Sequence, residues 1–267
     1  MSGIQGTACG VFASIMVAAL AAGGCGGAAG SPEESALGQQ SEAVAPGSVL
    51  LVVGNATLNT GDNAVLQRLQ AMGFTVTVKS AAASATADAT GRQLVVVSST
   101  VTSGDVGTKF KSVAVPVLTW ESGVLDDLGM TAAGALGTSA NQTRIKMLAA
   151  SSDPMSAGFT GSQLVTSANT TFSWGKPGAA AVVVASLDAD TTKATLFRYE
   201  TGTAMVGLNA PERRVGIFLE DATAASLTTA GQFLMDGAIR WAAHLTAAAD
   251  GAVCTAAADC ASASRNA

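Results

Sequence analysis

Two groups of acidic side chains follow apolar runs of the sequence, and their types and positions suit them for chemistry. Glu121 comes directly after the run VPVLTW (115–120), and Asp221 ends the stretch RVGIFLED (214–221). Carboxylates accept hydrogen bonds from hydroxyl groups, and a pair of them can act as acid and base on a glycoside. The alternative is that these acids begin helices or are solvated charges.

Two tryptophans complete the predicted ligand site. Trp120 ends the same apolar run that precedes Glu121, and Trp174 lies in TFSWGKP (171–177), a pattern that predicts a hairpin tip. The face of a Trp ring packs on the apolar side of a sugar, whereas local packing in the domain is the alternative role. We therefore predict that Trp120, Glu121, Trp174 and Asp221 bind a ligand.

A serine stands where the fourth apolar run turns towards a short helix. Ser122 occupies the place at which many α/β hydrolytic folds hold a nucleophile on a tight elbow. Such a nucleophile needs a base, which is a His in the usual triad. The single His of the chain, His244, falls near the end of the last predicted helix. The sequence predicts an elbow without acyl-transfer chemistry, and we assign no catalytic residue.

The composition argues against a metal, a cofactor or a nucleic-acid partner. Zinc bound by Cys254 and Cys260 would need two more ligands, and one His cannot complete the set. The loop GNATLNTGD (54–62) lacks the Lys and the glycine spacing of a phosphate loop. The formal net charge is −5, and the largest basic group is the pair Arg213–Arg214. We predict no metal, no cofactor and no nucleic acid.

The N-terminal segment predicts export. Residues 1–24 contain one apolar run that is shorter than a membrane span and is typical of a signal peptide. The residues before Cys25, Ala-Gly-Gly, resemble the lipobox of bacterial lipoproteins, which implies lipidation of Cys25 and attachment to a membrane. Residues 25–47 are rich in Gly, Ala, Ser, Glu and Gln, the composition of a flexible tether. We expect the bacterial cell envelope as location, with secretion as the alternative.

The remaining cysteines lie in the C-terminal tail. Cys254 and Cys260 are the two that follow the predicted domain, and an oxidising compartment favours a local disulfide between them. We predict that residues 246–267 form a disordered tail that carries this pair.

Residues 48–245 predict a single α/β domain. Continuous apolar runs such as SVLLVV and QLVVV are typical of central parallel strands buried on both faces, and helical patterns alternate with them. Between residues 144 and 208, short strand-like pieces follow one another without a strong helix. We predict a doubly wound, mostly parallel, flavodoxin-like sheet with an antiparallel hairpin extension.

Three local patterns resemble one family. DPMSAGF (153–159), RRVGIFLED (213–221) and DGAIRWAA (236–243) resemble motifs of the trehalose-utilisation (ThuA-like) group in the class I glutamine amidotransferase-like superfamily. Asp153 stands where that group usually has a His, and Glu220-Asp221 stand where it has Gly-His. The resemblance implies the superfamily's α/β domain. It also indicates that the family's chemistry is absent, because both His positions differ.

The sequence leaves three functions open. The first is a non-catalytic, surface-tethered domain that binds a carbohydrate or an envelope partner. The second is a hydrolase or sugar-modifying enzyme that uses carboxylates at the strand ends, and the third is a purely structural envelope protein. We expect binding without turnover, because a paired acid and base are not evident from the sequence.

Overall fold

The computed structural model describes residues 46–245. Its parallel strands are β1 (Ser48–Val53), β2 (Thr75–Ser80), β3 (Leu94–Val97), β4 (Val117–Thr119) and β11 (Arg214–Ile217). They lie in the order β2-β1-β3-β4-β11, and every neighbouring pair among them is parallel. The apolar runs of the sequence form these strands, which confirms the predicted α/β class.

The segment between β4 and β11 adds an antiparallel part to the same sheet. Its strands are β5 (Thr131–Gln142), β6 (Arg144–Met147), β7 (Gly161–Leu164), β8 (Thr170–Pro177), β9 (Val182–Leu187) and β10 (Asp190–Tyr199). From β11 the sheet continues as β10-β9-β6-β7, and β8 pairs with both β10 and β5. The predicted extension is present, and within the described residues it is larger than one hairpin.

Helices and short turns cover the two faces of the sheet. The helices are α1 (Thr60–Ala71), α2 (Ser103–Val106) and α3 (Thr229–Ala242), and 3₁₀ turns occupy Thr86–Ala89, Ser122–Val124 and Thr223–Ser226. Leu51 of β1 lies in one core cluster with Leu69 of α1 and Leu234 of α3. Leu50 of β1 lies in a second cluster with Phe110. Successive side chains of a strand point to opposite faces, so β1 contributes to both clusters.

Several predictions fall outside the described residues. The predicted signal peptide, Cys25, most of the tether, Cys254 and Cys260 all lie before residue 46 or after residue 245. Between those limits, no helix is both long enough and apolar enough to cross a membrane. Lipidation of Cys25 and pairing of the two C-terminal cysteines therefore stay predictions.

Candidate functional site

Polar loops meet at the carboxyl ends of the parallel strands, where open α/β sheets bind ligands. The loop 54–59 follows β1, the hydroxyl-rich segment Ser98–Thr100 follows β3, and Glu121 follows β4. Glu220 and Asp221 come shortly after β11. The sheet order places these loops side by side, and we call them the strand-end site.

Asp62 is the buried carboxylate of the strand-end site. Asn59 caps α1, because its side chain accepts the backbone N–H of Asp62 at 2.7 Å. The Asp62 side chain is 2% exposed, and Ser98 and Thr100 donate hydrogen bonds to its two oxygens. Burial raises the pKa of Asp62, both hydrogen bonds oppose the rise, and the charge of Asp221 adds to it.

The loop after β11 is tied to the loop after β1. Asn59 donates from Nδ2 to the carbonyl oxygen of Asp221 at 3.1 Å, and Ser99 donates to an Asp221 carboxylate oxygen at 3.0 Å. Gly61 makes this approach feasible, because a Cβ there would stand 2.0 Å from the Asp221 carbonyl oxygen. Only glycine fits between α1 and this loop.

Glu121 caps the 3₁₀ turn that follows β4. Its carboxylate accepts the backbone N–H of Gly123 at 2.7 Å, and its own N–H donates to Thr119 Oγ1 at 3.0 Å. Burial raises the pKa of Glu121 to about 7, against the Gly123 hydrogen bond and with the help of the Asp221 charge. The Glu121 side chain is therefore poised to hold or release a proton near neutral pH.

The pKa of Glu220 is raised like that of Glu121. Burial raises its pKa to about 7, and the charges of Glu121 and Asp221 add to the rise. Hydrogen bonds from the Asp221 backbone and from Ser99 oppose it. Three acidic side chains thus influence one another at the ends of β4 and β11, an interaction that their positions in the sequence do not reveal.

An open cleft of about 350 Å³ lies beside this acidic group. Its lining combines amide, hydroxyl and carboxylate side chains, namely Gly54, Asn55, Thr57, Asn59, Asp62, Thr100 and Thr102. The Gly54 N–H donates to Thr100 Oγ1 at 3.0 Å, so the loops after β1 and β3 form one wall. We call this space the strand-end cleft.

The two tryptophans predicted to bind the ligand do not line the strand-end cleft as the structure describes it. Trp120 is 3% exposed and belongs to the core cluster shared with α1 and α3, so its ring is not available for stacking and this prediction is wrong. Trp174 lies inside β8 opposite Gly137 of β5, not at a hairpin tip. The turn-like GKP sequence misled the prediction, because β8 runs on to Pro177.

Trp174 nonetheless lines a second, narrow crevice that reaches the end of β4 and is too tight to admit a water molecule. Thr119, which accepts the Glu121 N–H, lines it together with Thr195. Lys193 places its Nζ 4.9 Å from the centroid of the Trp174 ring. A ligand could stack on that face only after Lys193 moved away.

The positions that carry His in the resembled family are occupied in different ways. Asp153 forms an ion pair with Arg198, at 2.6 Å from Nη1, and so makes a structural contact. Glu220 and Asp221 belong to the strand-end site. His244 follows the end of α3 and contacts Glu212 at 3.1 Å. Ser122 is buried at the head of the turn after β4.

Among residues 46–245, no three His, Cys, Asp or Glu side chains are arranged to hold a metal ion. The sequence prediction missed Asp62, Thr100 and the amides of the first loop as site residues. Thr100 and the amides of the first loop lie in the segments after β3 and β1, which is the signal that could have found them, whereas Asp62 lies within α1 and has no such signal.

No family model and no curated protein matches the chain. Among solved structures, it resembles a GMP synthase subunit from Thermoplasma acidophilum, at 12% identity, a TM-score of 0.44, and coverage of 73% of this chain and 94% of that one. It also resembles a glutamine amidotransferase from Thermotoga maritima, at 10% identity, a TM-score of 0.39, and coverage of 64% and 75%. Both neighbours have glutamine amidotransferase-like folds at low identity.

Proposed function

We propose that this chain is a ligand-binding α/β domain whose strand-end cleft takes a neutral, polyhydroxylated molecule, such as a sugar, without turning it over. The observation that carries the proposal is the strand-end cleft itself, of about 350 Å³ and lined by amides and hydroxyls around Asp62. A volume of this size falls at the lower end of small-molecule sites, roughly 300–1,000 Å³.

The chemistry of the lining favours hydroxyl groups as its partners. Asn55 and Asn59 each offer both donors and acceptors, and Thr57 and Thr102 each offer a hydroxyl that can do either. A sugar hydroxyl also donates and accepts, so it can form a hydrogen bond with each of these side chains either as the donor or as the acceptor. Asp221 and the buried Asp62 make the surroundings negative, which disfavours an anionic ligand.

Asp62 acts through Thr100 rather than by reaching the ligand. The Thr100 hydroxyl donates to Asp62 at 2.8 Å and accepts the Gly54 N–H at 3.0 Å, so its orientation is fixed before a ligand arrives. A polar group whose direction is set in advance costs less entropy on binding. Asp221 lies beside the cleft, bonded to Asn59 and Ser99, and Glu121 follows the neighbouring strand. Trp174 could offer a stacking surface only outside this cleft and after Lys193 moved.

A hydrolase is the second candidate, because Glu121 and Glu220 both have pKa values raised to about 7. A protonated carboxyl at neutral pH can serve as a general acid, with a neighbouring carboxylate as its base. Hydrolysis of a nitrophenyl glycoside that was lost in Glu121→Gln and Glu220→Gln would favour this function over binding alone.

The proposal includes a place in the cell and a family. The resemblance of the Cys25 region to a lipobox supports export and a lipid anchor in a bacterial envelope. The three family-like motifs support the trehalose-utilisation group, and the order β2-β1-β3-β4-β11 supports a flavodoxin-like, doubly wound arrangement of the parallel strands. Mass spectrometry of the mature N-terminus tests the anchor, and a soluble chain that begins elsewhere than at Cys25 would exclude it.

Titration calorimetry tests the binding function. Mono- and disaccharides added to the mature protein should give saturable heat at millimolar concentration or below for at least one sugar. If none of them binds at that concentration, the ligand-binding proposal fails and a structural role in the envelope takes its place.

A further inference from the structure

Two arginines lie over one tryptophan at the other end of β11. The guanidinium carbons of Arg198, in β10, and Arg213, just before β11, are 5.0 and 4.4 Å from the centroid of the Trp241 ring. Arg198 pairs across the sheet with Val215, near the start of β11. The arginines are therefore at the amino end of that strand, whereas the strand-end site follows its carboxyl end.

Each of the two guanidinium groups makes hydrogen bonds through Nη1 and leaves its Nε–H without a hydrogen-bond partner among the described residues. Arg198 Nη1 donates to both oxygens of Asp153, at 2.8 and 2.6 Å, and Arg213 Nη1 donates to the Trp241 carbonyl oxygen at 2.6 Å. The Nε of each guanidinium is buried and has no hydrogen-bond partner within residues 46–245. Arg198 as a whole is 8% exposed. A buried donor without an acceptor is unfavourable, and an arriving acceptor would remove that penalty.

The Glu200 carboxylate lies next to the Nε–H groups of both arginines without forming a hydrogen bond to either. One of its carboxylate oxygens lies 3.8 Å from Arg198 Nε and the other lies 3.5 Å from Arg213 Nε, which are ion contacts longer than good hydrogen bonds. The Glu200 side chain is 47% exposed. Half-exposed ion pairs of this kind contribute little to stability, so Glu200 can leave at little cost.

We propose that the Nε–H edges of Arg198 and Arg213 form a binding site for an external oxyanion, a carboxylate or a phosphate group, which displaces Glu200. Asp153 neutralises one of the two cations, and the departure of Glu200 leaves one positive charge for the ligand. Nearby Glu212 does not compete, because Thr201, the Arg213 N–H and His244 already hold its Oε1. An oxyanion placed between the two arginines can accept one charge-assisted hydrogen bond from each Nε–H.

The decisive variant removes the resident carboxylate. Glu200→Ala should bind inorganic phosphate or acetate roughly fivefold more tightly than the wild type, the upper end of what half-exposed ion pairs contribute. Titration calorimetry on the mature protein measures both anions, and the one that binds more tightly identifies the ligand class. Asp190→Ala is the matched control, because it removes the same charge from a partly exposed acid that pairs with Lys193. The control should leave anion binding unchanged.

A second substitution tests whether anion binding needs the Nε–H donor of Arg213 or only its positive charge. In the Glu200→Ala background, Arg213→Lys keeps the positive charge but removes the Nε–H edge, and anion binding should weaken at least about fivefold. Three results would overturn the proposal: no binding of either anion by Glu200→Ala at millimolar concentration, an equal gain in Asp190→Ala, or undiminished binding after Arg213→Lys. None of these measurements depends on the strand-end cleft.

Discussion

Asn59 and Asp221 join the first loop of the domain to the last: the Asn59 amide donates to the Asp221 carbonyl oxygen at 3.1 Å across 162 residues of sequence. Asn59 also caps α1, so a single side chain fixes the start of that helix and the loop after β11. Asn59 also lines the strand-end cleft, so this contact holds one of the cleft residues in place.

The close approach of α1 to this loop predicts a large effect at Gly61. Gly61→Ala places a methyl group 2.0 Å from the Asp221 carbonyl oxygen, so the backbone of one segment must move. We expect a loss of about 1–3 kcal/mol in the free energy of unfolding, the usual range for overpacking. Urea denaturation measures it. Gly104→Ala is the control, since no atom lies within 4 Å of a Cβ at that position; equal stability of the two variants would contradict the packing described.

The raised pKa values of Glu121 and Glu220 predict that replacing either residue by Gln stabilises the domain at high pH but not at low pH. Because the folded-state pKa of Glu121 and of Glu220 is about 7 and their ordinary value is 4.5, folding takes up protons between these pH values. The stabilising contribution is present below about pH 4.5 and is lost as the pH rises through 7. Glu121→Gln or Glu220→Gln should therefore raise the melting temperature by roughly 3 °C at pH 8 and change it little at pH 5.

Thermal denaturation at the two pH values checks this expectation. Asp188→Asn, at an exposed carboxylate in the turn between β9 and β10, serves as the control for removal of one negative charge. A gain that was the same at pH 5 and pH 8, or was shared by Asp188→Asn, would show that the strand-end carboxyls do not have raised pKa values.

The elbow after β4 predicts no acyl-transfer activity. Ser122 is buried, and the only His of the chain contacts Glu212 beyond the end of α3. A serine without a base is a weak nucleophile. We expect no release of ammonia from glutamine and no cleavage of casein by the mature protein. Turnover that disappeared in Ser122→Ala would contradict this account.

The predicted disulfide between Cys254 and Cys260 lies after the last described residue. Its loop is short and outside the domain, so reduction should shift the melting temperature of the domain by less than about 1 °C. Thiol titration of the non-reduced protein, followed by calorimetric melting with and without reductant, checks both statements. Two free thiols would exclude the pairing, and a large shift would show that the tail contributes to the domain.

The parallel strands were predictable because their apolar runs are continuous. Strand β5, TAAGALGTSANQ, was not, since its residues are mostly small, half of them are exposed, and they show no alternation of apolar and polar side chains. Its extended state comes from pairing with β8, a long-range contact. Helix α3 was predictable like the parallel strands, because its apolar stripe is evident in the sequence and Thr228 caps its start.

The location of the candidate site could be predicted from the sequence, but the contacts of its side chains could not. Glu121 and Asp221 follow buried strands, and this alone locates them at the carboxyl edge of the sheet. An Asp in the first turn of a helix is usually solvated, yet the hydroxyls of Ser98 and Thr100 hold the Asp62 side chain in the interior. Trp120 was expected at an exposed strand exit, but it packs in the core. Both differences arise from tertiary contacts that no local pattern encodes.

The most direct test of the central claim is sugar binding in a variant that changes only the hydroxyls of the strand-end cleft. Thr57→Val together with Thr102→Val removes two of them while keeping the shape of the side chains, and Thr102 makes no capping hydrogen bond that would be lost. Thr75→Val, at an exposed position of β2, is the matched control. Calorimetry should show a sugar that binds the wild type and the control alike and binds the double variant at least about tenfold more weakly, at roughly 1 kcal/mol for each lost hydrogen bond. Equal affinity in all three proteins, or no binding by the wild type at millimolar concentration, would contradict the account.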